Sequence, residues 1–291
     1  MAVYDKNGNA LSAVYDKTGA PLDVAYDRNG NIVFQKNPTT LKVMAYNCGQ
    51  WYIGSHDNVP ADRDAEYYAL QNGIIESVDA DVLLLEEYTA QFSKAGRTAL
   101  SMLQSKYPYY HEQTDGSTTT VAQRAIFSKY PISSYSAHSF GGAGSGYYYD
   151  TCFLTVDRFN IFLVVTHLHW NNLTERAREA GILISAVQNH PRFIIGGDFN
   201  LVDFYSINGE DYQQVIKPFV DKGYNIANGG AFGFIPTYCD TADGAEWTNL
   251  DEIVTSANIT IDSVTTDKTK VTDSINDKID HLPLIAELTI S

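Results

Sequence analysis

The chain is poor in cysteine, in positive charge and in long apolar runs, and each shortage excludes something. Its three cysteines, Cys48, Cys152 and Cys239, are too few and too scattered for a disulfide framework, and their spacing fits no zinc site. Lysine and arginine number 20 against 35 acidic residues, a formal net charge of -15. That balance argues against bulk attraction to nucleic acid or to an anionic membrane, but not against an enzyme that recruits divalent cations. No stretch approaches the roughly 18 apolar residues of a spanning helix. Asp5 and Lys6 come too early for an apolar signal core. The expectation is a soluble chain without an integral membrane segment, its compartment undetermined.

What is present is the composition of a globular protein, 44% apolar and 19% charged over 291 residues, enough for a large core. The N-terminus carries an internal repeat. Ala-Val-Tyr-Asp-Lys-Asn-Gly around Tyr4 returns around Tyr15 and, more loosely, around Tyr26, at intervals of eleven residues. Each unit reads as strand, turn and strand, with Gly8, Gly19 and Gly30 free to take a positive backbone angle. Three such units are too small to bury a core alone. The reading is an assembly or tether module over residues 1–37, serving self-association or attachment. A linker at Asn37–Thr40 then opens a second domain over 38–291.

In that second domain strands and helices alternate. Leu41–Tyr46 alternates like a half-buried strand, and Tyr67, Leu70, Ile74 and Val78 mark one helical stripe. Val82–Leu85 is a strand buried on both faces. Ala125–Ser128 and Phe153–Val156 read as shorter strands. The glycine-rich stretch 141–146 between them lacks the Lys-Ser/Thr of a phosphate loop and reads as flexible. A strand over Ile161–Thr166 leads to a helix with Ala177, Ala180, Ile184 and Val187 on one face and Thr174 as its N-cap. Phe193–Ile195, a helix from about Asp211 to Asp221, and strands near 251–255, 259–264 and 284–290 complete the order. The pattern predicts an α/β protein with two mixed sheets facing each other.

The informative feature is what stands at the strand ends. Apolar strands run into Asn47, into Glu86-Glu87, into His167 and into Asp198-Phe-Asn200; Asp251 follows Leu250, and Asp280-His281 precedes Leu282-Pro. Scaffolds present reactive groups at such places. Each residue alone has a bland reading as turn former, cap or satisfied core histidine; together they do not. Carboxylate and amide oxygens with no cysteine cluster suit Mg2+, Mn2+ or Ca2+. Histidines beside carboxylates suit proton transfer or hydrogen bonding to a phosphoryl oxygen.

Seven blocks carry a family resemblance: Val43-Met-Ala-Tyr-Asn47, Asp81-Val-Leu-Leu-Leu-Glu-Glu87, Ala125-Ile-Phe-Ser-Lys-Tyr-Pro-Ile132, Val165-Thr-His-Leu168, Gly196-Gly-Asp-Phe-Asn200, Leu250-Asp-Glu-Ile253 and Asp280-His-Leu-Pro283. In order and spacing they resemble the endonuclease/exonuclease/phosphatase superfamily, the DNase I-like fold, over roughly residues 40 to 291. The resemblance implies a four-layer α/β/β/α sandwich of two mixed sheets with its site at one rim. It implies Glu87 as principal metal carboxylate, supported by Asn47 and Asp280. Asp198 and Asn200 then position the attacking water and bind the phosphoryl oxygen, and His281, oriented by Asp251, is the catalytic histidine. His167 is the second histidine, retained in the nuclease and sphingomyelinase branches. Glu86 stands where many relatives carry glutamine and is expected to turn its charge outward, although an outer metal ligand is the alternative. Arg124 is a candidate phosphate contact or a surface ion-pair residue. His169 is expected on the opposite face of a continuing strand, outside the site.

The expected activity is metal-dependent hydrolysis of a phosphoester, with a phosphodiesterase or nuclease acting on nucleic acid as the first choice. A sphingomyelinase-like or small-phosphoester hydrolase is the alternative. A non-catalytic surface or virion assembly protein that keeps the fold is the third reading, favoured by the repeats and opposed by the complete ligand set. The chain's 20 tyrosines, with Tyr147-Tyr148-Tyr149 after the glycine-rich stretch, offer stacking surface or ordinary core.

Overall fold

The computed structural model describes residues 14–15, 21–22, 24–26, 32–35, 39–49, 64–88, 103–113, 124–141, 147–202, 204, 206–239, 247–267 and 281–291. The chain divides into two compact units, Met1–Thr39 and Thr40–Ser291. In the first, β1 (Val14–Tyr15) pairs antiparallel with β2 (Pro21–Leu22), and β3 (Val24–Tyr26) with β4 (Ile32–Gln35). These are the two ends of the second and of the third repeat. The first repeat lies outside the described residues.

The second unit holds two six-stranded mixed sheets. Sheet one contains β5 (Thr39–Asn47), β6 (Val82–Glu86), β7 (Tyr109–Glu112), β8 (Arg124–Ser128), β17 (Ile259–Thr266) and β18 (Leu284–Ile290), in the order β17-β18-β5-β6-β8-β7. Sheet two contains β9 (Ile132–Ser139), β10 (Tyr148–Val156), β11 (Phe159–His167), β12 (Phe193–Asp198), β13 (Asn225–Ile226) and β16 (Asp251–Thr255), in the order β13-β16-β12-β11-β10-β9. A short pair, β14 (Tyr238–Cys239) with β15 (Trp247–Thr248), stands apart.

Each sheet is built around one parallel pair. In sheet one β5 passes through helix α1 (Asp64–Val78) to β6, and in sheet two β11 passes through α2 (Leu173–Val187) to β12. A parallel pair needs such a crossover, which lays the helix on one face of the sheet and leaves the other face for a second sheet. The period-two pattern of the strands sorts the side chains accordingly. Val43, Ala45, Val82 and Leu84 point inward and meet Leu163, Val165, Ile194 and Ile253 of sheet two. Met44, Tyr46, Leu83 and Leu85 point outward onto Ile74, Ile75 and Val78 of α1. On the far side Val164, Phe193 and Ile195 pack on Ala180, Leu183, Ile184 and Val187 of α2. The result is the four-layer α/β/β/α sandwich.

Two adjacent glycines of β12 permit close approaches, Gly196 to the facing sheet and Gly197 to the neighbouring strand β11. A Cβ on Gly196 would stand 2.6 Å from Leu84 Cδ1, and one on Gly197, whose φ is +152°, would stand 1.9 Å from the Thr166 carbonyl oxygen. Only glycine fits both constraints at Gly197.

Local details depart from the expected ones. Asn172, not Thr174, caps α2: its backbone is extended and its side chain accepts from the Glu175 N–H, so Thr174 already lies inside the helix. The helix expected over 211–221 is a π-helical turn (Tyr212–Ile216) followed by α3 (Lys217–Asp221). Pro218 has no N–H to return to the preceding turn, which accounts for the widened ring before it. No helix among the described residues is long and apolar enough to cross a membrane.

Candidate active site

The inward rule that builds the core also builds the site. Asn47 continues the inward series Val43, Ala45; His167 continues Leu163, Val165; Asp198 continues Ile194, Gly196; and Asp251 begins the series that Ile253 continues. In register, Asn47 lies opposite Glu86, His167 opposite Asp198, and Asp198 opposite Asp251. The ends of β5, β6, β11 and β12 and the start of β16 thus aim their polar side chains into the gap between the sheets, where the apolar filling stops.

Asp198 is the hub. Its Oδ2 lies 3.0 Å from Asn47 Nδ2, which donates to it across the two sheets, 3.5 Å from His167 Nε2 and 3.6 Å from His281 Nε2. Its Oδ1 accepts from Asn200 N–H at 2.8 Å. The Asn200 amide nitrogen in turn donates to the Leu168 carbonyl at 2.8 Å. Asn47 Nδ2 also approaches Glu87 Oε1 at 3.3 Å, and Asn47 Oδ1 accepts from Gly49 N–H. Glu87 and Asn200, with φ of +48° and +53°, both adopt the left-handed conformation just past their strands. Non-glycine residues hold it at a cost, and such strain collects at functional sites.

His281 Nδ1 stands 3.0 Å from Asp251 Oδ2. Asp251 is fully buried, and Thr237 Oγ1 accepts from the Leu250 and Asp251 N–H groups and fixes the strand start. Burial pushes the Asp251 carboxyl above its ordinary range, while the His281 ring pulls it back. Tyr238 covers the His281 ring, with centroids 5.0 Å apart. Asp198, Asp251 and His281 together bring ligand-type atoms within 4.8 Å of one another. A ring nitrogen 3.0 Å from a carboxylate can share a proton with it, and the contact fixes the orientation of the ring.

Of the residues singled out in the sequence, the fold brings together Asn47, Glu87, His167, Asp198, Asn200, Asp251 and His281. Asp280 lies outside the described residues. Arg124 is buried, and its guanidinium is gripped on two nitrogens by Asp150 of β10, at 3.1 and 2.9 Å, above the Tyr148 ring. It joins the two sheets and is not a surface residue.

Glu86 corrects an expectation. It shares the inward face of Leu84, is completely buried, and has no hydrogen-bond partner on either carboxyl oxygen among the described residues. Burial, then the charges of Asp251 and Asp198, push its pKa well above the carboxylate range. A neutral acid there has the shape of a glutamine. His169 is a second correction. Residues two apart share a strand face, so a continuing strand would not have turned His169 away from His167; β11 ends at His167, and the His169 ring stacks on Tyr147 with centroids 4.6 Å apart. Tyr147 also meets His167 edge-on at 6.0 Å. Sequence reasoning missed Tyr147, Thr237 and Tyr238 as site neighbours. The Tyr147-Tyr148-Tyr149 run was the one available signal, and nothing in it singles out the first tyrosine.

The donor set fits a hard divalent cation. Glu87 and Asp198 flank the Asn47 amide, and Asn47 Oδ1, engaged once by Gly49, keeps a lone pair. Asp251 Oδ1 and both Glu86 oxygens are buried without a partner among the described residues.

The histidines and carboxylates thus gather at one rim of the four-layer sandwich. The model of the endonuclease/exonuclease/phosphatase family matches residues 46–273, and the chain belongs to that family. Solved structures agree in fold. An endonuclease/exonuclease/phosphatase from Bacteroides vulgatus superposes with a TM-score of 0.66 at 15% identity, covering 87% of this chain and all of that one. TDP2 from Caenorhabditis elegans gives 0.63 at 18%, over 88% of this chain and 78% of that one. ANGEL2, described as a 2',3'-cyclic phosphatase and solved with adenosine-2',3'-vanadate, gives 0.64 at 16%, over 87% and 96%. No curated protein matches the chain.

Proposed function

We propose that the chain is a divalent-metal-dependent phosphodiesterase, with nucleic acid or a nucleotide ester as substrate. The carrying observation is the convergence of Asn47, His167 and His281 on Asp198 Oδ2, beside Glu87. Two histidines and a shared carboxylate around one gap are suited to a tetrahedral phosphoryl group, whose charge has to be met from several sides at once.

Glu87, Asn47 and Asp280 would hold the cation, which when bound supplies Lewis-acid polarisation of a phosphoryl oxygen. Asp198 orients the attacking water through the oxygen that faces both histidines, and Asn200 presents its amide oxygen beside it. His281 Nε2 donates to the phosphoryl oxygen, and Asp251 stabilises the imidazolium that this requires. His167 Nε2 approaches Asp198 from the other side and donates to the same group.

Plasmid DNA, RNA, sphingomyelin micelles and inositol phosphates, each with Mg2+ and with EDTA, test the reading. Turnover of a nucleic acid that EDTA abolishes is expected. Turnover of sphingomyelin alone would move the substrate to a phospholipid headgroup, and turnover of none would favour an assembly role carried by the repeats.

A further inference from the structure

We infer that Trp170 selects the substrate, by offering one open ring face beside His167 on which a nucleobase attached to the scissile phosphoester stacks. This rests on the phosphodiesterase reading above.

Trp170 is 61% exposed, the most exposed of the large apolar side chains described. A tryptophan ring left in water is ordinarily a consequence of a mobile loop, but the backbone here is fixed by buried charge. Arg176, 4% exposed, spends Nε and Nη2 on Asp211 Oδ1, at 3.0 and 2.7 Å, and Nη1 on the His169 and Trp170 carbonyls, both at 3.3 Å. Glu179 accepts from the His169 N–H at 2.8 Å. Burying a guanidinium is costly unless its donors are met. This one meets them by tying down the two residues that carry the ring. A rigid, pre-set aromatic surface binds with little loss of freedom.

Its position is that of the site. Trp170 follows His167 by three residues and His169 by one, and Tyr147 lies edge-on to His167 and stacked on His169.

The chemistry of the occupant follows from which faces remain. Tyr147 is already engaged by His169 and His167, so the ledge presents the Trp170 ring alone. A quaternary ammonium group needs a cage of several aromatic faces, and an inositol has no planar face to offer. A nucleobase needs only one ring, and stacking tolerates any base.

Calorimetric titration of the full chain in Ca2+ with adenosine 5'-monophosphate, ribose 5-phosphate and phosphocholine tests this, alongside melting temperatures. Trp170→Ala is expected to weaken adenosine 5'-monophosphate binding about tenfold with the melting temperature unchanged, and Trp170→Phe to restore most of it. Ribose 5-phosphate should bind all three proteins alike and weakly. Equal affinity of wild type and Trp170→Ala for adenosine 5'-monophosphate, or tighter binding of phosphocholine, overturns the inference. Phosphoester turnover measured in parallel separates the two readings: an active wild type whose binding ignores Trp170 removes the ledge and leaves the reaction standing. An inactive wild type with Trp170-dependent binding does the reverse.

Discussion

His281 stands between two carboxylates in unlike settings, and that difference assigns its two nitrogens. Asp251 meets Nδ1 at hydrogen-bond distance from inside the strand, whereas Nε2 is turned toward Asp198 at 3.6 Å, the side on which Asn47 and His167 also converge. His281→Ala is expected to lower kcat by on the order of a hundredfold or more with much less change in KM, because the lost interaction strengthens in the transition state. Asp251→Asn should cost less and shift the pH profile, since an amide holds the ring without stabilising its charge. Measuring kcat together with melting temperature checks both; near-normal turnover in a destabilised His281→Ala protein would return the residue to a packing role. Glu252, next along the strand, obeys other rules. Its Oε1 accepts from the Ala227, Asn228 and Ile253 N–H groups at 2.8–2.9 Å, and burial pushes its carboxyl up to about 8 in spite of them. In the unfolded chain the proton leaves near 4.5, the ordinary value. The stability contributed by the neutral acid is therefore complete below that pH and declines by about 1.4 kcal/mol per unit as pH rises through the folded value. Between pH 5 and 8 the melting temperature of the wild type should fall more steeply than that of Glu252→Gln, in which nothing ionises. Parallel curves would show that Glu252 is ionised in the fold.

At the scale of elements, legibility follows burial. Val82–Glu86 and Phe193–Asp198 are buried at every position, and β11 at most of them, so their apolar runs announced them. The edge strands did not. β7 reads Tyr-Tyr-His-Glu and β9 Ile-Ser-Ser-Tyr-Ser-Ala-His-Ser, both largely exposed, with backbone pairing on one side only and no apolar series to betray them. The candidate site was legible for the same reason as the core strands, because a polar residue that ends an inward series must face the gap. Glu86 was readable by that rule too, two residues after Leu84, and was missed because a charge at a strand end suggests solvent. What no local pattern carries is contact across elements: Thr237 under the Asp251 backbone, Tyr147 between His167 and His169, and the Arg124–Asp150 clamp from β8 to β10. That clamp is buried on both sides, so removal of either partner leaves an uncompensated charge and its stability cost exceeds that of an exposed pair.

At the scale of the whole chain, the net charge of -15 and the two units pose one problem. A strongly negative molecule meets a polyanion only where cations and local donors offset the field, so recognition concentrated at the rim suits it better than a long basic track. The repeats add no described residue to that rim, since all described site residues lie at or after Asn47. β5 begins at Thr39, so a cut after Asn37 leaves its pairing intact. A two-stranded hairpin is marginal alone, and residues 1–37 offer little else among the described elements. We propose that this segment is an attachment module, stabilised by association with another copy or with a larger body. Deleting residues 1–37 should leave a single cooperative thermal transition and unchanged turnover per site, while the sedimentation coefficient or surface attachment changes. A broad, non-cooperative melt with lost turnover would show that the repeats complete the sandwich core, and an unchanged melt with unchanged sedimentation and attachment would remove the module's proposed role.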